Sequence, residues 1–222
     1  MELTPNLHAF LCTLPGANNC NTYLIRSGEQ NILIDPGHAA HFDHVRSGLQ
    51  GLGLSTGDID LVVCTHAHPD HIEAVQFFQE TSARFAMHAA EWDLVEKIAP
   101  MLKASTAVDL ELFTPDFFLT AGDLTVGDVT LQIHHTPGHA PGAICLYWPG
   151  EKALFSGDLI FKGGLGRTDL PGGNGAQLKE SIRRVAELDS QWLLSGHGEV
   201  VSGADVVAAN FRQVETMWFG YV

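Results

Sequence analysis

A short segment of the chain carries four side chains of the types that bind metal ions in proteins. His66, His68, Asp70 and His71 lie within six residues and directly follow the apolar run at 61–64. Neutral imidazole and carboxylate groups suit zinc, iron or manganese. Alternate residues of an extended segment point to the same side, so His66, His68 and Asp70 can converge there. The spacing therefore predicts a metal site on the loop that leaves this strand.

Three further candidate ligands occur downstream, each next to a glycine. His139 lies in a Pro-Gly turn between two strand-like stretches, while Asp158 and His197 each follow a short apolar strand and a glycine. The proline stiffens the turn and would hold the His139 ring in place. Taken alone, each residue is more commonly an ordinary turn residue or a hydrogen-bonded core histidine. Because the same pattern recurs, the set predicts a metal site built from distant parts of the chain.

These motifs resemble those of the metallo-β-lactamase-fold hydrolases and, within that superfamily, the small glyoxalase II-type proteins. The matching segments are residues 65–71, 136–142, 156–158 and 195–198, in the family order and with family-like gaps. The resemblance implies a dinuclear site, and all seven ligand positions hold the expected residue type. It assigns His66, His68 and His139 to one ion, Asp70, His71 and His197 to the other, and Asp158 to a bridging position.

The implied chemistry is hydrolysis by an activated water. Two divalent cations about 3.5–4 Å apart lower the pKa of a shared water and polarise the carbonyl under attack. We therefore predict a metal-dependent hydrolase acting on a thioester such as S-lactoylglutathione or on another activated acyl compound. Its cofactors would be two divalent ions, with zinc expected and iron or manganese compatible with the same ligands. Asp70 is the candidate catalytic residue because it can orient the nucleophile or accept its proton. Asp35, which precedes Pro36 and Gly37, is expected either to orient a ligand or to form a turn.

Two alternative activities stay open at the level of the sequence. His66, His139 and Asp158 could form the two-histidine, one-carboxylate site of a mononuclear iron persulfide dioxygenase. Lactone hydrolysis is a close relative of the predicted thioester chemistry. A metal-binding module without enzymatic activity is disfavoured because the ligand set is complete.

A glycine-rich loop after Asp158 carries the sequence Gly-Arg-Thr-Asp at 166–169. Similar loops occur in type II glyoxalase-like proteins and in the related persulfide dioxygenases. Arg167 is therefore a candidate to bind a substrate carboxylate, and its alternative partner is Asp169. Glyoxalases II with full glutathione recognition carry a lysine and a tyrosine in this region, where this chain has Arg167.

Composition agrees with a single enzyme domain spanning residues 1–222. Apolar residues make up 45% and charged residues 17% of the chain, within the range for a folded globular protein. Acidic residues outnumber basic ones by 26 to 12, which disfavours a nucleic-acid partner. No stretch approaches the roughly 20 apolar residues of a membrane span, and no basic and then apolar segment opens the chain. We expect a cytoplasmic enzyme with a small-molecule substrate and no membrane partner; the oligomeric state stays open.

Hydrophobic patterning predicts the elements that position these ligands. Strands are predicted at 9–14, 21–26, 31–35, 60–64, 84–87, 124–126, 129–134, 143–148, 153–156 and 192–195. Helices are predicted at 43–52, 73–80, 89–102, 176–188 and 204–217. Asp70 is expected to cap the second helix, and Pro100 to interrupt the third. Two clusters of strands flanked by helices predict an α/β fold, which the resemblance makes a four-layer αββα sandwich.

Overall fold

The computed structural model describes residues 1–13, 16, 18–105 and 114–222, without the side chains of 98–105. The chain divides into two compact units. The first comprises Met1–Leu119 and Val126–Asp128, and the second Thr120–Thr125 and Val129–Val222. The single domain expected for the whole chain stays a prediction.

The first unit is built on a mixed sheet whose strands follow chain order. β-Branched and aromatic residues recur in these strands because they pack well on a pleated surface. Among the described residues they are β1 (Glu2–Thr4), β2 (Leu7–Phe10), β3 (Thr22–Ser27), β4 (Gln30–Ile34), β5 (Leu61–Val63), β6 (Arg84–His88) and β7 (Phe117–Leu119). Pairs from β1 to β4 are antiparallel and pairs from β4 to β7 are parallel. The carboxyl ends of β4 and β5 therefore meet at one edge, where the first ligand cluster begins.

Helices cover one of the two apolar faces of this sheet. The described α-helices are α1 (Asp43–Gly51), α2 (Pro69–Ile72) and α3 (Ala89–Ser105), and 3-10 helices span Ala39–His41, Thr56–Asp58 and Glu73–Phe78. Val45 and Leu49 of α1 are buried in a core cluster with Leu24, Leu33 and Val62 of the sheet. Full burial of one such side chain stabilises the fold by roughly 1.5–3 kcal/mol.

The second sheet carries the downstream ligands. Its order is β15-β14-β11-β10-β9-β8, and β12 and β13 form a separate antiparallel hairpin. The pair β11 and β14 is parallel. The strands are β8 (Gly122–Val126), β9 (Val129–His135), β10 (Ile144–Trp148), β11 (Ala153–Gly157), β12 (Ile160–Phe161), β13 (Gly164–Leu165), β14 (Trp192–Ser195) and β15 (Val201–Ser202).

Two helices of the second unit, α4 (Gly175–Val185) and α5 (Ala204–Trp218), contribute to one core cluster. Leu178 and Ile182 of α4 and Phe211 of α5 are buried there. No helix among the described residues is long and apolar enough to cross a membrane.

The helix predicted at 73–80 begins earlier in the structure and is of a different type over most of its length. α2 begins at Pro69 and gives way to the 3-10 helix Glu73–Phe78. Proline suits the first helical position because its φ is preset and its missing N–H would have no partner there. His68 is therefore the N-cap residue and Asp70 lies in the first turn, so the predicted Asp70 cap is wrong.

Other predicted elements are present with shifted ends. The strand predicted at 9–14 ends at Phe10, and Leu14 lies outside the described residues. The interruption predicted near Pro100 is wrong, because the backbone of α3 is helical from Ala89 to Ser105. A proline removes one backbone hydrogen bond, and this helix continues past that loss.

Candidate metal-binding residues

The first ligand cluster occupies the loop after β5 and the first turn of α2. His66, Asp70 and His71 are buried, with 1%, 7% and 0% exposure, and His68 is half-buried. One ligand atom of His66 lies within 4.8 Å of one on His68 and of one on His71. A ligand atom of Asp70 lies within the same distance of one on His71. The structure therefore brings together the four predicted ligands of the first unit.

The buried carboxylate of Asp35 supports this cluster from the end of β4. Its Oδ2 lies 2.9 Å from Nδ1 of His71 and accepts a hydrogen bond of 2.8 Å from Oγ1 of Thr65. Its Oδ1 accepts from the backbone N–H of Thr65 at 2.7 Å. Oγ1 of Thr65 thereby donates its only proton, so it accepts from Nδ1 of His66, 3.1 Å away.

These contacts select the tautomers of two histidines. With the proton on Nδ1, the lone pair of His66 and of His71 lies on Nε2, the atom that would bind a metal. Asp35 also has a positive φ of 53° where the chain leaves β4. Of the two roles that the sequence left open for Asp35, its contacts with Thr65 and His71 support the orientation of predicted ligands.

Two further polar side chains contact the loop, and neither contact was predicted from the sequence. Oε2 of Glu91, a buried residue, accepts a hydrogen bond of 2.9 Å from the backbone N–H of Ala67. Glu91 lies in the first turn of α3, where the helix dipole favours a carboxylate. Nδ2 of Asn18 donates to Oδ2 of Asp70 at 3.1 Å. An acidic residue in a first helical turn is common, so the sequence held no signal for the role of Glu91.

In the second unit, α4 holds the turn that carries His139. The backbone N–H of Asn174 donates to the carbonyl oxygen of Gly138 at 2.7 Å. Gly138 has a φ of +140°, and a Cβ there would lie 2.3 Å from Cα of Leu178. Only glycine fits this close approach. The predicted stiff turn is thus fixed by packing as well as by its own sequence.

The glycine-rich loop fixes the ring of His139 through its backbone. Nδ1 of His139 lies 2.7 Å from the carbonyl oxygen of Arg167, which can only accept, so the ring proton is on Nδ1. A Cβ at Gly166 would lie 1.8 Å from the carbonyl oxygen of Asp158 and 3.2 Å from Nδ1 of His139. The loop backbone therefore packs directly against two predicted ligands.

The parallel pairing of β11 and β14 explains why Asp158 and His197 follow the same strand and glycine pattern. Gly157 is paired with Ser195, and the N–H of Gly196 donates to the carbonyl oxygen of Gly157 at 2.8 Å. Parallel strands end at the same edge of a sheet. The residue that follows each glycine consequently lies beside the other.

The distances from Asp158 to the two predicted histidine ligands of the second unit each fit a pair of ligand atoms that share a cation. Oδ2 of Asp158 lies 3.4 Å from Nε2 of His197 and 3.6 Å from Nε2 of His139. Both distances are longer than an ordinary hydrogen bond. They match the separation of roughly 3.3–3.6 Å between two ligand atoms that share a tetrahedral ion at about 2.0–2.2 Å. The donor chemistry and the spacing of this unit therefore fit a divalent metal.

Arg167 pairs with the partner expected as its alternative. Its Nε and a terminal nitrogen donate to Oδ1 and Oδ2 of Asp169 at 2.7 and 2.6 Å. Hydrogen bonding to Arg167 lowers the pKa of Asp169 to about 2, and the same contact raises the pKa of Arg167. Both side chains are exposed, by 60% and 67%. Substrate binding by Arg167 stays a prediction.

The chain is similar to known proteins in both sequence and structure. Residues 15–197 match the family model described as the metallo-beta-lactamase superfamily. A probable metallo-hydrolase of Methanocaldococcus jannaschii is 34% identical over 193 residues, which cover 81% of this chain and 88% of that protein. A hydroxyacylglutathione hydrolase of Haemophilus influenzae is 32% identical over 187 residues, which cover 81% of this chain and 85% of that protein. TTHA1623, crystallised in a di-iron-bound form, aligns with a TM-score of 0.74 and 30% identity over 89% of this chain and 95% of its own.

Proposed function

Because the chain belongs to the metallo-β-lactamase superfamily, we propose that it is a dinuclear metal-dependent hydrolase that cleaves a thioester of the S-lactoylglutathione kind. The hydroxyacylglutathione hydrolase among its relatives supports this substrate class. Other activated acyl compounds, lactones included, are the next candidates.

The observation that carries the proposal is the orientation of the imidazoles. Hydrogen bonds at Nδ1 place the lone pair on Nε2 in His66, His71 and His139. This arrangement is the one that metal-binding histidines adopt, because an acceptor at one nitrogen fixes the tautomer and raises the basicity of the other. A solvated polar loop would have no need of such partners on buried rings.

The proposed ligand assignment is that of the family resemblance. When bound, two divalent cations supply a hydroxide nucleophile near neutral pH and polarise the acyl carbonyl. Zinc is the expected metal, and iron is supported by the di-iron form of a relative. We propose His66, His68 and His139 for one ion, Asp70, His71 and His197 for the other, and Asp158 as the bridge.

Asp70 and Arg167 have proposed roles beyond metal binding. The hydrogen bond from Asn18 occupies Oδ2 of Asp70 and so orients the carboxylate, which we propose takes the proton of the nucleophile. Arg167 is the proposed contact for a substrate carboxylate, with Asp169 as its competitor. A dicarboxylate substrate such as a glutathione thioester offers the group that this exposed guanidinium would bind.

The test combines a metal count with two activity assays. We expect two metal ions per chain and turnover of S-lactoylglutathione, followed as loss of the thioester. One iron per chain together with oxygen uptake on glutathione persulfide would overturn the proposal in favour of the dioxygenase. Turnover of a lactone in preference to the thioester would retain the metal chemistry and correct the substrate.

Replacement of one ligand tests the dinuclear arrangement. His197→Ala should lower the metal content to about one ion per chain and reduce thioester turnover by at least about 100-fold, because the second ion loses one of its few protein ligands. His41→Ala, which removes a histidine outside the ligand set, is the matched control and should leave both unchanged. Undiminished turnover by His197→Ala would contradict a dinuclear mechanism.

A further inference from the structure

The hairpin of β12 and β13 contacts or adjoins all three ligands of the second unit. It begins two residues after Asp158, and the Phe161 ring centroid lies 6.0 Å from that of His197. Directly after β13 the chain reaches Arg167, whose carbonyl oxygen accepts from His139. A shift of this hairpin would therefore move the surroundings of three predicted ligands at once.

Strand ends anchor the beginning of the hairpin. The hydroxyls of Ser156 and Ser195 both donate to the carbonyl oxygen of Ile160, at 2.9 and 2.8 Å. Both serines are buried and lie at the carboxyl ends of the two parallel strands. These contacts fix the first residue of the hairpin but not its turn.

The turn of the hairpin is held by α5. Oδ1 of Asn210 accepts from the backbone N–H of Gly163 at 2.8 Å, and its Nδ2 donates to the carbonyl oxygen of Phe161 at 3.0 Å. Nε1 of Trp218 donates to the carbonyl oxygen of Gly163 at 2.8 Å. Asn210 is only 6% exposed, so its amide is committed to the hairpin rather than to solvent.

The hairpin depends on these anchors because it is short. Each strand has two residues, and an isolated two-stranded hairpin is marginal in water even when it is longer. Asn210 satisfies one backbone donor and one backbone acceptor with a single side chain. An aspartate of the same size offers acceptors only, so it would repel the carbonyl oxygen of Phe161. The hairpin therefore needs an amide at position 210, which can both donate and accept a hydrogen bond.

From this arrangement we infer that Asn210 is a positioning residue for the metal ligands of the second unit and acts through the hairpin of β12 and β13. The inference rests on the proposed function, since it takes His139, Asp158 and His197 to be metal ligands. It assigns α5 a part in the metal site beyond its contribution of Phe211 to the core.

The experiment measures metal binding to the metal-free protein by competition with a chelator. Asn210→Asp and Asn210→Ala should weaken binding of Zn²⁺ by about tenfold, the lower end of the effect of residues that orient ligands. With Co²⁺ as the probe, both variants should change the visible absorption of the bound ion, because its ligand geometry is altered. Gln213→Ala, on the exposed face of the same helix, is the matched control and should bind both ions as the wild type does.

A second variant covers the case in which Asn210 variants fail to fold. Trp218→Phe removes one hydrogen bond to the hairpin from a side chain that is 39% exposed, and should weaken Zn²⁺ binding by a few-fold. A purely structural role would lower the melting temperature of the metal-free and the metal-loaded protein equally while leaving the affinity of the folded protein unchanged. That result would overturn the inference.

Ligand variants separate this inference from the proposed function. If Asp158→Ala and His197→Ala bind Zn²⁺ as tightly as the wild type, the proposed ligand set is wrong. If these two lose binding while the Asn210 and Trp218 variants keep both the affinity and the Co²⁺ spectrum of the wild type, only the inference about the hairpin fails.

Discussion

Asp35 shows how one side chain can set the chemistry of two others. Three donors converge on its carboxylate: the backbone N–H and the hydroxyl of Thr65, and Nδ1 of His71. A carboxylate accepts all three, whereas an amide has one oxygen and must turn its NH₂ group toward a donor. Both oxygens of the carboxylate are therefore needed to accept the hydrogen bonds from Thr65 and His71.

Asp35→Asn is expected to weaken metal binding by about 10–100-fold, because it disturbs the proton positions on His66 and His71. Chelator competition on the metal-free protein measures the change. Asp43→Asn, at a side chain that is 88% exposed, is the matched control. Equal affinities for Asp35→Asn and the wild type would contradict the role given to this carboxylate.

The candidate ligands could be recognised in the sequence, but the residues that support them could not. His66, His68, Asp70 and His71 are close in sequence and chemically distinctive. Glu91, by contrast, contacts the loop only because α3 begins near it in space. Contacts of that kind depend on how β5, α2 and α3 pack, which no local pattern encodes.

At the scale of elements, the repeated strand, glycine and ligand pattern has a structural cause. β11 and β14 run parallel, so their carboxyl ends share an edge and the two predicted ligands that follow them meet there. The sequence indicated both strands but not that they pair with each other, since pairing joins residues far apart in the chain. Short elements such as β12, β13 and β15 were missed because two residues carry too little pattern.

A substitution at Gly166 tests how closely the loop packs against Asp158. Gly166→Ala would place a Cβ 1.8 Å from the carbonyl oxygen of Asp158, so the loop backbone has to shift. We expect a loss of Zn²⁺ affinity of at least about tenfold, because the shift also moves the acceptor of His139.

A matched control lies two residues earlier in the chain. Gly164→Ala would meet only a side-chain atom of Phe161 at 3.8 Å, an ordinary van der Waals distance. It should keep the affinity and the melting temperature of the wild type. A Gly164→Ala variant as impaired as Gly166→Ala would mean that the loop tolerates no side chain anywhere, and the specific contact with Asp158 would lose its support.

At the scale of the whole molecule, the family match confirms the resemblance and the fold class predicted from the sequence: a mixed α/β chain with the metallo-β-lactamase fold. Fold class was accessible because the ligand motifs are specific and the alternation of strands and helices is regular. The substrate, the metal and the cytoplasmic location stay predictions, because a fold and a set of candidate metal ligands do not by themselves specify a substrate.

Global stability should depend on pH through His134. Burial, and then the charge of Arg184, lower the pKa of this histidine from its usual 6.5. As the pH falls below about 6.5 the unfolded chain takes up the proton first, so protonation favours unfolding and stability is lost. Among the described residues its Nε2 has no hydrogen-bond partner, so no hydrogen bond at that atom offsets the cost of charging the ring.

The free energy of unfolding of His134→Leu minus that of the wild type should therefore increase when the pH falls from about 7.5 to about 5.5. Denaturant unfolding of the metal-free proteins at both pH values measures the difference, and contributions common to both proteins cancel. His41→Leu serves as the control. A difference between wild type and His134→Leu that does not change with pH would show that His134 titrates normally.

The contact between the Arg167 carbonyl and His139 has an evolutionary consequence. Every residue type carries a backbone carbonyl, so position 167 can exchange its side chain without losing the acceptor of the His139 proton. Position 166 has no such freedom, because any side chain there meets the backbone of Asp158. Selection can thus change the side chain at position 167, the proposed substrate contact, while position 166 stays glycine, so this loop can vary in chemistry without losing the acceptor of the His139 proton.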